Sequence, residues 1–185
     1  MAATNQLGFL YLAYLSKPSI DRLVYRVIRQ RRVRTIVELG VGIGQRARRM
    51  IEVAAIHAPP WEVRYAGIDL FEARSASDGP GMTLKTAHRL LTATGARIRL
   101  LPGDPYTALS RAANSLVGTD LVVVSSRLDP DSLARAWFYV PRMLGERSQV
   151  LIEEQGEPGG PLVLRAISRE EIAERAAAAL RRRAA

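Results

Sequence analysis

The chain has no cysteine. Disulfides, thiolate catalysis and thiolate metal sites are therefore excluded, while the redox compartment stays open. Lysine is nearly absent. Lys17 and Lys85 are the only two, so the formal net charge of +9 is carried almost entirely by arginine. Long apolar runs are missing as well. The longest near the N-terminus, residues 7–15, is far too short to span a bilayer. It has no basic n-region before it and no evident cleavage site, so neither a signal peptide nor a membrane partner is expected, and a cytoplasmic location is the default. There is no internal repeat and no sign of a second core.

What is present is a chain of 185 residues with 48% apolar side chains spread over separated periodic runs. That length and patterning fit one soluble globular domain with a sizeable core. Arginine is concentrated in two clusters, Arg29, Arg31, Arg32, Arg34 and Arg181, Arg182, Arg183. One reading is a surface that contacts nucleic-acid phosphates. The favoured reading is a solvated face combined with a compositional bias toward arginine and alanine. No aromatics interleave with either cluster, so a stacking platform for single strands has no support.

The informative stretch is 36–44: Ile36-Val37-Glu38-Leu39-Gly40-Val41-Gly42-Ile43-Gly44. A short apolar run carries one acid and then breaks into three glycines at alternate positions. Helical spacing follows over 45–58, with Ala47, Met50, Ile51 and Ala54 inward and Arg46, Arg48 and Arg49 outward. Strand, glycine turn and helix open a doubly wound α/β domain. A glycine lets a ligand approach the backbone where a Cβ would collide, and the N–H groups that open the helix then face it. A dinucleotide fingerprint would need its third glycine at position 45, which is Gln45.

Further strands are expected at 64–70, 97–101, 120–125, 150–153 and 162–167, the last of these antiparallel. Helices are expected at 19–31, 83–93, 104–116, 131–144 and after the Ser168/Glu171 capping box. The run Leu121-Val122-Val123-Val124 suits a central parallel strand buried on both faces. Pro141 should kink or shorten its helix. Asp69 sits at the tip of the second strand, where a carboxylate can accept from vicinal ribose hydroxyls; its competing reading is a turn cap, and Glu72 is a weaker substitute. Asp104 before Pro105 is a helix N-cap signal, and ligand contact competes for the same carboxylate. The loop 73–82 is longer than most βα connections and borders a candidate pocket. His57 and His88 read as ordinary helix histidines without assigned chemistry.

Acid, one residue, then G-x-G-x-G resembles motif I of the class I S-adenosylmethionine-dependent methyltransferases. Asp69 matches their second motif, and Gly103-Asp104 resembles the segment whose acid reaches the adenine amino group. The resemblance covers residues 33–155. It implies an α/β fold: a single doubly wound, mostly parallel Rossmann-like sheet flanked by helices. Residues 1–32 would be an N-terminal helical extension and 33–185 the methyltransferase-like domain. It implies S-adenosylmethionine as cofactor, with Glu38, Gly40, Gly42, Gly44, Asp69 and Asp104 binding it.

The acceptor side departs from the family. Metal-dependent catechol-type enzymes carry acids just after the fourth strand, where this chain has Ser125 and Ser126, so no metal site is expected. The Asn/Asp/Ser-Pro-Pro-aromatic motif of nucleic-acid amino-methyltransferases is missing. A Lys-Asp-Lys-Glu set is hard to assemble from two lysines. After the fifth strand there is room for one strand and one helix where the family has a helix and two strands. Glu153, Glu154 and Asp129 are candidates for the general base by position alone. A small-molecule acceptor is expected. A catalytically inactive, methyltransferase-like binding protein is the alternative, and a nucleic-acid-binding or modifying protein ranks below both.

Overall fold

The computed structural model describes residues 6–157 and 159–184, the side chain of residue 184 excepted. The expected N-terminal extension over 1–32 therefore begins outside the described residues.

Apolar spacing organises the first helices. Residues Gln6–Leu10 form α1, and Tyr11–Leu15 continue it as a wider π turn. Helix α2, Arg22–Arg31, buries Val24, Tyr25 and Ile28 and ends on Arg32 in the left-handed conformation. Strand β1, Thr35–Leu39, is started by Asp120. Its Oδ2 accepts from the N–H groups of Arg34 and Thr35, both at 2.8 Å. The chain then alternates through α3 (Gln45–Ala54), β2 (Arg64–Asp69), α4 (Leu84–Thr92), β3 (Arg97–Pro102), α5 (Pro105–Ala112) and β4 (Thr119–Val124). Helices α6 (Pro130–Ala136) and α7 (Val140–Met143) lead to β5 (Leu144–Gln155), β6 (Leu162–Ala166) and α8 (Arg169–Ala184).

One six-stranded sheet results, in the order β3-β2-β1-β4-β5-β6. All neighbours are parallel except β5 and β6. The chain moves outward from β1 to β3, then returns to place β4 on the other side of β1. That reversal leaves a crevice at the carboxyl ends of β1 and β4, where open α/β sheets take their ligands. Alternate residues of each strand feed the two faces. Ile36, Leu121, Val123 and Leu151 pack under α2, α3 and α4. Val37, Leu39, Val122, Val124 and Val150 pack under α5 to α8, with Trp137 and Met143.

Four boundaries differ from the sequence expectation; the helix expected to 116 is α-helical to Ala112 and tightens to a 3-10 turn over Ala113–Leu116. Helix α3 stops at Ala54 rather than 58, because the N–H groups of Ile56 and His57 turn back to Val53 and Ala54 ahead of Pro59. The helix expected over 131–144 is two helices. Pro141 lies in the first turn of α7, where a missing N–H costs nothing. Strand β5 begins at Leu144, six residues earlier than expected, with an irregularity against β4 between Thr119 and Leu121.

Candidate functional site

The crevice is built on the glycine loop. Gly40, Gly42 and Gly44 all adopt positive φ, at 91°, 59° and 71°. They serve different ends. A Cβ on Gly40 would stand 2.7 Å from the Ser125 Cβ, so this glycine lets β1 and β4 close at their tips. A Cβ on Gly44 would stand 2.7 Å from the Met82 methyl. At Gly42 the nearest atom would be the Pro80 carbonyl oxygen, at an ordinary 3.7 Å. Gly42 is thus the glycine that faces the crevice, and the segment 73–82 lies across it.

Asp69 ends β2 beside this loop. Its Oδ2 accepts from the Gly42 N–H at 2.8 Å, and Oδ1 accepts from the Phe71 N–H at 3.3 Å. Oδ1 also meets the Arg74 guanidinium at 2.5 Å. Arg74 reaches on to the Asp78 carbonyl oxygen, and its Nε is buried without a hydrogen-bond partner. A Cβ at Gly81 would collide with this guanidinium. The loop expected to border a pocket lines a cavity of about 650 Å³ with Phe71, Arg74 and Met82; it also lies over the glycine loop, tied down by the Arg74–Asp69 ion pair and by Met82 against Gly44. Glu72 accepts from the Leu84 N–H and starts α4.

Glu38 points to the α3 face of β1 and is fully buried. Arg46 donates to its Oε1 at 2.7 Å and the Tyr65 hydroxyl to its Oε2 at 2.5 Å. The Arg46 guanidinium also lies 3.6 Å from Asp21 and 3.8 Å from Glu153. Arg46 is therefore not on the outer face of its helix, as the spacing predicts. It lies in the first turn of α3, where the chain still passes over the strand tips. Desolvation raises the Glu38 carboxyl above the usual carboxylate range, against the pull of Arg46 and Tyr65. Burial raises Asp21 likewise, again against Arg46.

The other candidate residues occupy the same edge. Asp104 caps α5 by accepting from the Thr107 N–H at 3.1 Å, and Ser132 of α6 donates to the same oxygen. Desolvation raises its carboxyl, but the hydrogen bonds from Ser132 and Thr107 outweigh it and bring the group down to about 2. Glu153 accepts from the Ser125 hydroxyl at 3.0 Å and the Ser126 N–H at 3.1 Å. Glu154 faces the other side of the sheet and pairs with Arg165 at 2.5 Å. Asp129 caps α6 by accepting from the Ser132 N–H at 2.6 Å. His57 bonds the Val33 carbonyl oxygen at 3.0 Å, and His88 is exposed on α4. Among the described residues no group of three or more histidine or acidic side chains forms a metal site.

The crevice is nearly closed. The cavity bounded by Asp69, Arg74, Asp104, Arg127 and Leu128 measures about 40 Å³. Sites for small ligands run to roughly 300–1,000 Å³. A larger cavity of about 750 Å³ lies between α3 and α4, lined by Ile51, Trp61, Met82 and Leu90, and reaches the glycine loop only at Ile43. It holds none of the strand-tip carboxylates. We therefore place the candidate site at the strand tips, where the acids and the glycine backbone meet, and not at the larger void. Of the C-terminal arginines, Arg182 lies 3.6 Å from Asp131 in an exposed pair, and Arg183 lies over the Phe138 ring at 4.4 Å.

No family model matches this sequence, and no curated protein matches it. Solved structures do. The O-methyltransferase TomG from Streptomyces achromogenes, in complex with SAM, is 17% identical with a TM-score of 0.54, over 76% of this chain and 57% of that one. The cofactor-bound Rv0187 from MTB is 14% identical with a TM-score of 0.54, over 95% of this chain and 73% of that one. A TehB-like SAM-dependent methyltransferase from Corynebacterium glutamicum is 17% identical with a TM-score of 0.50, over 84% of this chain and 71% of that one. At these identities the likeness is one of fold. The chain has the Rossmann-like fold of class I methyltransferases, and it spans little more than half the length of TomG.

Proposed function

We propose that this chain binds S-adenosylmethionine at the glycine edge and transfers its methyl group to a small-molecule acceptor. One observation carries the reading. The crevice-facing glycine, Gly42, and the carboxylate at the next strand tip, Asp69, are in direct contact at the topological switch point. A nucleoside with two ribose hydroxyls needs that pairing of open backbone and carboxylate. Asp104 lies one strand further on, beside the expected adenine position. The donors and acceptors fit the cofactor; the volume fits only when 73–82 withdraws and Arg74 leaves Asp69. Binding is thus coupled to opening of this segment.

The cofactor supplies an electrophilic methyl on a sulfonium. The chain's part is to align the acceptor, exclude water and take the acceptor's proton. Glu153 is the best-placed carboxylate for the proton: it stands beside the β4 tip, and its bonds to Ser125, Ser126 and Arg46 all engage Oε2. Glu154 and Asp129 are committed to Arg165 and to the start of α6. A second reading, a non-catalytic protein that kept the fold, draws on the same closed crevice of about 40 Å³.

Thermal melting with S-adenosylhomocysteine tests the first reading. Ligand at a hundredfold its Kd adds about 2.7 kcal/mol, a rise of about 5 to 11 °C for a domain of this size. Gly42→Val abolishes the rise, Asp69→Ala weakens it and His88→Ala leaves it intact. No rise in the wild-type protein at millimolar ligand refutes the cofactor assignment. A rise without transfer of labelled methyl to a metabolite extract selects the second reading.

A further inference from the structure

The helical run over residues 6–15 is apolar on both sides. Phe9 and Leu12 face inward, against the core that contains Val24, Tyr25 and Ile28, and Ala13 is buried beside them. The outward positions are Leu7, Leu10, Tyr11, Tyr14 and Leu15, and each is between 50% and 75% exposed. They follow i, i+3, i+4, i+7, i+8 spacing, so they form one continuous stripe. No residue from 6 to 15 is charged. Isolated exposed apolar side chains are ordinary; a helix apolar all round belongs under cover.

The first 54 residues are strongly basic. Up to residue 54 the chain has ten basic and three acidic residues, which leaves +7 of the total +9 in that part. The three acids are already spent. Asp21 and Glu38 pair with Arg46, and Glu52 pairs with Arg48. Lys17 stands two residues after the run, Arg22 donates to the Ser16 carbonyl oxygen, and Arg26 lies 6.0 Å from the centre of the Tyr14 ring. Among the described residues none of these three has an ion pair.

Against the sequence expectation of no membrane partner, we propose that this face docks on an anionic lipid surface. The leucines enter the boundary between headgroups and acyl chains, the tyrosines sit at headgroup level, and Lys17, Arg22 and Arg26 meet lipid phosphates. The charge decides among occupants. A nucleic acid would satisfy the cations and leave the apolar stripe in water. A second copy would cover the stripe but bring a like-charged surface against it. An anionic bilayer satisfies both features. Among the described residues no helix is long and apolar enough to cross a membrane, so the contact is with the surface.

Flotation of the full chain with vesicles tests this, using phosphatidylcholine alone and phosphatidylcholine mixed with phosphatidylglycerol. The chain is expected to float with the mixed vesicles at low salt, to stay behind with the neutral ones, and to release as salt rises. Leu10→Glu/Leu15→Glu and, separately, Lys17→Glu/Arg26→Glu should each cut the bound fraction on the order of tenfold, with unchanged melting temperatures. The charge variant keeps the test valid if the apolar one misfolds. No flotation with the mixed vesicles, equal flotation with neutral ones, or binding by both variants equal to that of the wild-type protein overturns the proposal. Concentration-dependent self-association that Leu10→Glu abolishes also overturns it, in favour of a second copy.

Discussion

Glu38 and Asp69 stand on neighbouring strands, and each is paired with an arginine, yet the two pairs do different work. Glu38 is inside the sheet, and its partner Arg46 is fixed in the first turn of α3 among three carboxylates and the Tyr65 hydroxyl. Nothing in that cluster can leave without breaking the core. Asp69 is at a strand tip, and its partner Arg74 rides on a loop held over the crevice. If Arg74 leaves, water or a ligand hydroxyl can take its place. One pair is part of the framework and the other is a latch. Two acids that look equivalent in the motif are separated by where their partners are anchored.

Removing the fixed partner should have the largest effect. Arg46→Met leaves Glu38, Asp21 and Glu153 facing one another without a cation. Breaking a buried pair in this way costs about 3 to 5 kcal/mol, readable as a shifted denaturant midpoint. A loss of about 1 kcal/mol or less, the level of a surface pair, would make the cluster peripheral and dissolve the contrast. Removing the latch should cost less. In Arg74→Met, Asp69 keeps the N–H donors of Gly42 and Phe71 and regains solvent, so a loss of about 1 to 2 kcal/mol is expected. A loss as large as that of Arg46→Met would show Arg74 to be framework too.

The smallest effect concerns pH and sets Asp104 against Glu38. Asp104 is lowered to about 2, so its stabilising contribution is present above the ordinary carboxyl range near pH 4 and is lost as pH falls through about 2. Glu38 is raised, so its contribution is present below the ordinary range and is lost as pH rises through its higher folded value. Melting temperature followed from neutral pH to acid should fall less steeply between about pH 4 and 2 in Asp104→Asn than in the wild-type protein. An unchanged acid limb would remove Asp104 from the account.

Much of this was legible in the residues. Strand, alternate glycines and helix were set by local chemistry: an apolar run, then backbone angles that only glycine adopts cheaply. The buried β4 run and the Asp104-Pro105 cap are local in the same sense. What could not be read depends on distant neighbours. Arg46 occupies an outward position by helical period, and only the tip of β5, through Glu153, and the turn before α2, through Asp21, draw it inward. Arg74 looks like a loop arginine until 73–82 is seen to cross Gly42. The early start of β5 follows from its pairing with β4 and not from its own sequence, since Gly145, Glu146 and Arg147 are exposed.

We propose that Arg74 holds the cofactor site at the glycine edge shut. Calorimetric titration of S-adenosylhomocysteine into the wild-type protein and Arg74→Ala tests it most directly. A latch that keeps the binding-competent form at about one tenth of the population raises the apparent Kd about tenfold. Binding is expected with both proteins, about tenfold tighter in Arg74→Ala, and none with Gly42→Val. No heat with either protein at millimolar ligand, or equal affinity in the two, would contradict it.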